Sequence, residues 1–187
     1  MFTEPNQINT NTGWIEVVCG SMFSGKTEEL IRRLKRARIA NQKVGIYKPE
    51  MDVRYSSDSI VSHDENAITA FPVKQALAIL SNFNEFDVVG IDEAQFFGKE
   101  LIEVCEQMAN QGKRVIIAGL DMDYTGKPFG PMPELLSIAN YVTKLHAICV
   151  KCGGIASYSY RTTLNKDQVV IGEKDHYEAR CRSCFNV

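Results

Sequence analysis

An eight-residue segment at residues 20–27, GSMFSGKT in one-letter code, matches the phosphate-binding pattern G-x-x-x-x-G-K-[ST] at every fixed position. Glycines in such a loop let backbone N–H groups turn towards phosphate oxygens, and the helix that follows adds partial positive charge. We expect Lys26 to reach the β- and γ-phosphates and the Thr27 hydroxyl to bind Mg²⁺. A chance match is disfavoured because a predicted strand precedes the segment and a predicted helix follows it. The candidate phosphate-binding residues are Gly20, Ser21, Met22, Phe23, Ser24, Gly25, Lys26 and Thr27.

Two adjacent carboxylates, Asp92 and Glu93, end an apolar stretch at residues 87–91. In a phosphate-loop fold this is the Walker B position, so Asp92 is expected to hold Mg²⁺ directly or through water. Glu93, one residue later, is expected to face the other way and to act as a general base. The pair does not identify the nucleophile. A base that activates water would make an ATPase, whereas a base that takes a proton from a substrate hydroxyl would make a kinase.

Two C-x-x-C pairs follow towards the C-terminus, separated by residues 153–180. Four thiolates suit a closed, tetrahedral, structural Zn²⁺ site, and disulfides are the less favoured alternative in a reducing compartment. The clamped loop could contact DNA as a zinc ribbon does, or fold over a small substrate; its weakly basic composition favours the small substrate. Cys19 and Cys105 are interpreted as core residues. The four predicted zinc ligands are Cys149, Cys152, Cys181 and Cys184.

Composition limits the classes of protein that need to be considered. The chain has 187 residues, of which 44% are hydrophobic and 24% charged, with a formal net charge of −2. Those values disfavour disorder, and the net charge disfavours a general nucleic-acid binder, which is usually basic. No apolar run approaches the roughly 20 residues that span a bilayer. Residues 1–13 are polar and carry no signal pattern, so we expect a cytoplasmic protein without a membrane partner.

Apolar runs alternate with helix-like stretches through most of the chain, which predicts an α/β fold with a parallel sheet flanked by helices. Pro72 is expected to open a helix, and a basic run near residue 35 is interpreted as a solvated or subunit-facing helix stripe. Strands are predicted at 14–19, 43–48, 87–91, 115–120 and 142–148, and further helices at 28–41, at 99–110 and from Pro131. The basic run comprises Arg32, Arg33, Lys35, Arg36 and Arg38. The predicted organisation is a flexible N-terminus at 1–13, a P-loop nucleotide-binding domain at 14–148 and a zinc-binding subdomain at 149–187.

The joint pattern resembles the thymidine kinases of the cytosolic, zinc-containing type (type II). The similarity covers residues 13–185 and combines the phosphate loop, the DEAQFF segment at 92–97, the KPFG segment at 127–130 and the two cysteine pairs. The resemblance implies a RecA-like P-loop sheet with a lasso loop in the zinc subdomain. It implies transfer of the ATP γ-phosphoryl group to the 5′-hydroxyl of thymidine or deoxyuridine, with Mg²⁺ and structural Zn²⁺, in a homotetramer that does not bind nucleic acid.

The resemblance also implies roles for individual residues. Glu93 becomes the base that accepts the 5′-hydroxyl proton. Asp52 matches a family residue near the metal, which makes it a candidate Mg²⁺ ligand with Thr27 and Asp92, and Arg54 matches one near the phosphates. The residues that match positions around the nucleoside are Met22, Phe96, Leu120, Tyr124, Phe129, Ser159, Val170, Ile171, Gly172 and Tyr177.

Two further functions fit parts of the pattern. A P-loop ATPase with a zinc ribbon acting on nucleic acid would account for the loop, the acidic pair and the cysteines, but not for the KPFG segment. A zinc-dependent nucleotide-binding module without turnover is disfavoured by the presence of Lys26, Thr27 and Glu93. The kinase is therefore the leading hypothesis.

Overall fold

A six-stranded sheet forms the centre of the molecule. The computed structural model describes residues 12–50, 70–163 and 176–186. The strands of the sheet are β1 (Trp14–Gly20), β2 (Val44–Pro49), β3 (Ala70–Val73), β4 (Val88–Ile91), β5 (Arg114–Gly119) and β6 (Tyr141–Leu145). Their order across the sheet is β3-β2-β4-β5-β1-β6, and every pairing within it is parallel. The predicted parallel α/β sheet is confirmed.

Helices cover both faces of the sheet, which is why its strands are almost continuously apolar. Val18 and its neighbours on one face pack against the first helix. Val17 and its neighbours on the other face pack against the second and third helices and a short 3-10 helix. These helices are α1 (Lys26–Ile39), α2 (Glu100–Asn110), α3 (Met132–Ile138) and the 3-10 helix Ala76–Ser81.

The helix predicted to begin at Pro72 is wrong in type and position. Pro72 lies within β3, opposite Lys48 of β2, and helical structure starts only at Ala76 as a 3-10 helix. Proline lacks a backbone N–H group and is tolerated in a sheet where a strand has one free side. β3 occupies the edge of this sheet, so Pro72 costs no ladder hydrogen bond on that side.

The C-terminal part contains two small antiparallel sheets. The strands are β7 (Ala147–Ile148), β8 (Ile155–Ala156), β9 (Tyr158–Arg161) and β10 (Tyr177–Arg180), followed by the short helix α4 (Arg182–Phe185). The single strand predicted at 142–148 is divided at His146: β6 joins the central sheet, and β7 pairs with β8. The hydrophobic pattern is continuous across this break, so it could not reveal that the chain leaves the sheet.

One residue of the basic stripe predicted on α1 is buried in the interior. Arg33 is fully buried and forms an ion pair with Glu16 of β1 at 2.7 Å, whereas Arg32 stays at the surface. Arg33 is therefore a structural residue and not part of a solvated stripe. Across the described ranges, no helix combines the length and apolar character that a membrane span needs.

Candidate active site

The phosphate loop connects β1 to α1 through backbone conformations that favour glycine. Gly20 has a φ of 146°, and an added Cβ would lie 2.3 Å from the carbonyl oxygen of Leu145. Gly25 has a φ of 85° and stands in the left-handed region immediately before α1. Both glycines of the sequence pattern are therefore required. Gly20 is required by close packing, and Gly25 by the turn into the helix.

Lys26, the first residue of α1, folds back across this loop. Its Nζ donates a hydrogen bond to the Ser21 carbonyl oxygen at 2.9 Å, and the Ser24 hydroxyl donates to the same oxygen at 2.8 Å. Burial lowers the pKa of Lys26, while the nearby carboxylates of Glu93 and Asp92 oppose this shift. An anionic ligand in the loop would stabilise the buried ammonium, as a phosphate group does.

Asp92 follows β4 and lies against the start of α1. The Thr27 hydroxyl donates to Asp92 Oδ2 at 3.0 Å, and the carboxylate is only 7% exposed. Burial, assisted by the charge of Glu93, raises the pKa of Asp92 to about 7. A hydroxyl beside a buried carboxylate is an oxygen donor pair suited to a hard divalent cation.

Glu93 adopts a left-handed backbone conformation, with a φ of 51° and a ψ of 40°. Because β4 ends at Ile91, strand alternation does not set the direction of the Glu93 side chain. The left-handed turn sets that direction. Gln95 holds its side chain, since the Gln95 Nε2 donates to Glu93 Oε2 at 2.5 Å. Gln95 is itself fixed, because its Oε1 accepts the Leu120 N–H at 2.9 Å.

Gln95 was not among the predicted site residues. It is 2% exposed and bridges the acidic turn to the loop after β5. The sequence offered one signal for Gln95, its place in the DEAQFF segment. A single amide residue near two carboxylates forms no spacing pattern from which its role could be predicted.

Two aromatic rings lie beside this turn. Phe96 packs edge-to-face on Phe129 with ring centroids 5.7 Å apart, while the adjacent Phe97 belongs to the hydrophobic core. The predicted pocket residues Leu120 and Tyr124 lie in the loop that follows β5. The structure therefore brings Phe96, Phe129 and Leu120 to the same end of the sheet as the acidic turn.

Ser159 of β9 contacts the phosphate loop directly. Its hydroxyl accepts a hydrogen bond from the Met22 backbone N–H at 2.9 Å, although 137 residues separate the two in sequence. Ser159 is 4% exposed. Two residues predicted to lie beside the nucleoside thus connect β9 to the phosphate loop. The predicted residues Asp52, Arg54, Val170, Ile171 and Gly172 lie outside the described residues.

A second pair of charged residues borders the phosphate loop and was not predicted as part of the site. Lys144 of β6 forms an ion pair with Asp121 at 2.6 Å, and Asp121 is 9% exposed.

Burial, together with the charge of Asp121, raises the pKa of Cys19 to about 11. Cys19 is therefore a neutral core thiol, as predicted, and Cys105 is also buried and its pKa raised by burial.

The four C-terminal cysteines converge at one point. Their sulfur atoms all lie within 4.8 Å of one another, and none forms a disulfide. The Sγ atoms of Cys152 and Cys181 are 3.7 Å apart. Zn–S bonds of about 2.3 Å in a tetrahedron place sulfur atoms roughly 3.8 Å apart, so the cluster fits a zinc ion.

Backbone N–H groups favour the thiolate form of two of the four cysteines. The backbone N–H of Cys181 lowers the pKa of Cys149 to about 6, and that of Cys184 lowers the pKa of Cys181. The pKa of Cys152 is raised by its thiol neighbours against the backbone N–H of Gly154, and hydrogen bonds with Cys181 and Cys152 raise that of Cys184 to about 12. The Cys184 N–H lies 3.5 Å from Cys181 Sγ. Thiolates are the form that binds zinc, so these donors favour binding. Cys149 and Cys152 occupy the β7–β8 turn, whereas Cys181 caps the N-terminus of α4 and Cys184 lies within that helix.

Comparison with solved structures supports the fold. The flagellar accessory protein FlaH from Methanocaldococcus jannaschii aligns with a TM-score of 0.50 and 14% sequence identity, over 79% of this chain and 80% of that one. At this identity the likeness concerns the arrangement of sheet and helices alone.

Comparison with known sequences is more specific. A thymidine kinase from Rhodothermus sp. is 60% identical over 94% of this chain and 82% of its own length. One from Bacteroides thetaiotaomicron is 58% identical over 99% of this chain and 94% of its own length. The sequence model of the thymidine kinase family matches residues 13–185. With a match that spans nearly the whole chain, and with the phosphate loop, acidic turn and cysteine cluster in place, this chain belongs to the thymidine kinase family.

Proposed function

We propose that this protein is an ATP-dependent nucleoside kinase that transfers the γ-phosphoryl group of ATP to the 5′-hydroxyl of thymidine or deoxyuridine. The observation that carries the proposal is the position of Glu93. Its carboxylate is held by Gln95, close enough to Lys26 to affect its pKa, and it follows directly after the buried Asp92. A carboxylate fixed beside a phosphate loop is placed to accept a proton from an attacking hydroxyl.

The donor side uses the first turn of α1. Lys26 exchanges its bond to Ser21 for oxygens of the β- and γ-phosphates, and its charge stabilises the transferring group. Thr27 and Asp92, already hydrogen-bonded to each other, would hold Mg²⁺ with Asp52, while Arg54 would contact the phosphates. Bound Mg²⁺ would neutralise phosphate charge and orient the phosphate chain.

The acceptor side is the region between the acidic turn and the β9–β10 hairpin. Phe96 and Phe129 form an apolar wall suited to a pyrimidine ring. In this proposal, backbone groups at residues 170–172 bind the edge of the base, and Tyr177 packs on the nucleoside. The proposed contacts are Met22, Phe96, Leu120, Tyr124, Phe129, Ser159, Val170, Ile171, Gly172 and Tyr177.

The family relationship supports a wider setting for the enzyme. We propose that it acts in nucleotide salvage in the cytoplasm, where reduced thiols remain available for zinc. We also propose a homotetramer. The exposed Tyr141 and Val142 on the edge strand β6 offer apolar surface for a subunit contact. The family match does not favour the P-loop ATPase with a zinc ribbon.

The substitution Glu93→Gln tests the assignment of the base. We expect kcat for thymidine to fall by about 100-fold or more, because general bases contribute roughly 10²–10⁴-fold, while ATP binding is retained. The assay supplies ATP and Mg²⁺ with each of the four deoxynucleosides and deoxyuridine, and product is expected with thymidine and deoxyuridine only.

The matched control is Glu103→Gln, which alters an exposed carboxylate on α2 and should leave kcat unchanged. Full activity of the Glu93→Gln enzyme would show that another group accepts the proton. ATP hydrolysis that rises with added DNA, without a nucleoside product, would instead favour the nucleic-acid ATPase.

A further inference from the structure

The β9–β10 hairpin has two different faces. Directly paired residues of antiparallel strands share a face. Tyr177 is paired with Arg161, and Ala179 with Ser159, so these four lie on one face; Ser159 on this face bonds the phosphate loop. The opposite face carries the aromatic residues that pack on α4. These are Tyr158 and Tyr160, which contact Phe185 with ring centroids 4.5 and 6.1 Å away.

Arg161 occupies the last described pair of this hairpin and is 7% exposed. Its guanidinium carbon lies 3.6 Å from the ring centroid of Tyr124, in the loop after β5. It also donates two hydrogen bonds to the Tyr177 hydroxyl, from Nη2 at 2.8 Å and from Nε at 3.2 Å. One side chain therefore connects Tyr124 of the P-loop domain to Tyr177 of β10.

We propose that Arg161 is a positioning residue for the nucleoside: it holds Tyr124 and Tyr177 at the distance that the acceptor site requires. This inference rests on the proposed function, in which both tyrosines border the nucleoside. The planar guanidinium stacks on one ring while its edge donates two bonds to the other. A lysine ammonium has no flat face to stack and cannot direct two N–H groups from a fixed plane.

The decisive variant is Arg161→Lys, which keeps the charge and removes the planar fork. We expect KM for thymidine to rise about tenfold, the usual scale for loss of one charge-assisted hydrogen bond, with kcat and KM for ATP unchanged within about twofold. Tyr177→Phe removes only the accepting oxygen and should raise KM similarly. The double variant should be no worse than Arg161→Lys alone, because that change already removes the two bonds to the Tyr177 hydroxyl.

Arg180→Lys is the matched control. Arg180 lies in the same hairpin and its guanidinium carbon is 3.3 Å from the Tyr160 ring centroid, but it is on the face away from the phosphate loop. We expect KM for thymidine to be unchanged in this variant. Zinc content and the thermal unfolding midpoint of each variant report on the integrity of the subdomain.

Three outcomes would overturn the role of Arg161. These are an unchanged KM for thymidine in Arg161→Lys, additive effects in the double variant, or a fall in kcat that accompanies zinc loss. Tyr124→Leu and Tyr177→Leu distinguish this failure from a failure of the proposed acceptor site. If both leucine variants keep the normal KM, the site itself is misplaced; if both raise it while Arg161→Lys does not, only the role of Arg161 is wrong.

Discussion

Asp92 and Glu93 are adjacent in sequence but held by different partners. Thr27 bonds the buried Asp92 carboxylate, and Gln95 bonds the Glu93 carboxylate at the left-handed turn. Burial raises the pKa of Asp92, and the like charge of Glu93 adds to this shift. A cation bound at Asp92 would offset the repulsion between the two carboxylates, which is consistent with the proposed role of Glu93 as the general base.

Gln95→Leu tests whether the position of Glu93 depends on its neighbour. Leucine removes the bond to Glu93 and the bond from the Leu120 N–H while keeping most of the side-chain volume. We expect kcat to fall by roughly 10- to 100-fold with little change in KM for thymidine, because small misplacement of a catalytic group mainly affects the chemical step. Steady-state kinetics with ATP and thymidine measure both parameters.

Gln107→Leu serves as its control, since Gln107 is exposed on α2 and should tolerate the change. An unaltered kcat in Gln95→Leu would mean that other contacts are enough to orient Glu93.

At the scale of elements, a buried ionic group joins β1, α1 and β5. The Glu16 carboxylate is inaccessible to solvent and accepts bonds from Arg33 Nη1 and Arg114 Nε, each at 2.7 Å. The Trp14 indole N–H donates to it as well, at 2.7 Å. One carboxylate therefore contacts two buried guanidinium groups, and Arg33 also pairs with Glu29 of its own helix at 2.8 Å. The Glu16–Arg33 pair ties the helix after the phosphate loop to the sheet.

Glu16→Gln should lower the free energy of unfolding by about 3 kcal/mol, because it removes the buried negative charge that both guanidinium groups contact. Urea unfolding at pH 7, followed by circular dichroism, measures the change. We expect the residual folded enzyme to keep its KM for both substrates.

Glu106→Gln is the corresponding surface control, with an expected change within about 0.5 kcal/mol. Equal losses in the two variants would contradict a special role for the buried group.

At the scale of the whole molecule, the β9–β10 hairpin links the cysteine cluster to the phosphate loop. Cys181 follows β10 immediately, and Tyr177 lies at the start of that strand. The same hairpin contacts the phosphate loop through Ser159 and Met22. A zinc ion at the base of the hairpin would therefore fix the hairpin, and with it the proposed acceptor site, relative to the phosphate loop.

Cys181→Ser should abolish zinc binding and raise KM for thymidine by at least tenfold, since structural zinc contributes its binding free energy to folding. Zinc per chain is measured by atomic absorption, and KM by the same kinase assay. ATP binding should be less affected, because the phosphate loop belongs to the central sheet.

Cys105→Ala removes a buried thiol that is not near the cluster, and its zinc content should be normal. Normal zinc content in Cys181→Ser would rule out the proposed ligand set.

Sequence patterns predicted many of the elements of this molecule because those elements are determined by residues close together in the chain. The phosphate loop, its helix and most central strands follow from residue spacing, and each lies within a residue or two of its predicted bounds. Pro72 misled the prediction because only the edge position of β3 makes a proline acceptable in a strand. Arg33 was misassigned because its partner Glu16 lies on another element.

The sequence by itself determined the chemistry that is available: a phosphate loop, an acidic pair and four cysteines with metal-binding spacing. Only the tertiary structure decided which side chains meet across the molecule. Ser159 reaches Met22, Arg161 reaches Tyr124, and Gln95 reaches Leu120 through contacts between separate elements. Such contacts depend on how the hairpin and loops pack against the sheet, and no periodicity along one segment of the chain encodes that packing.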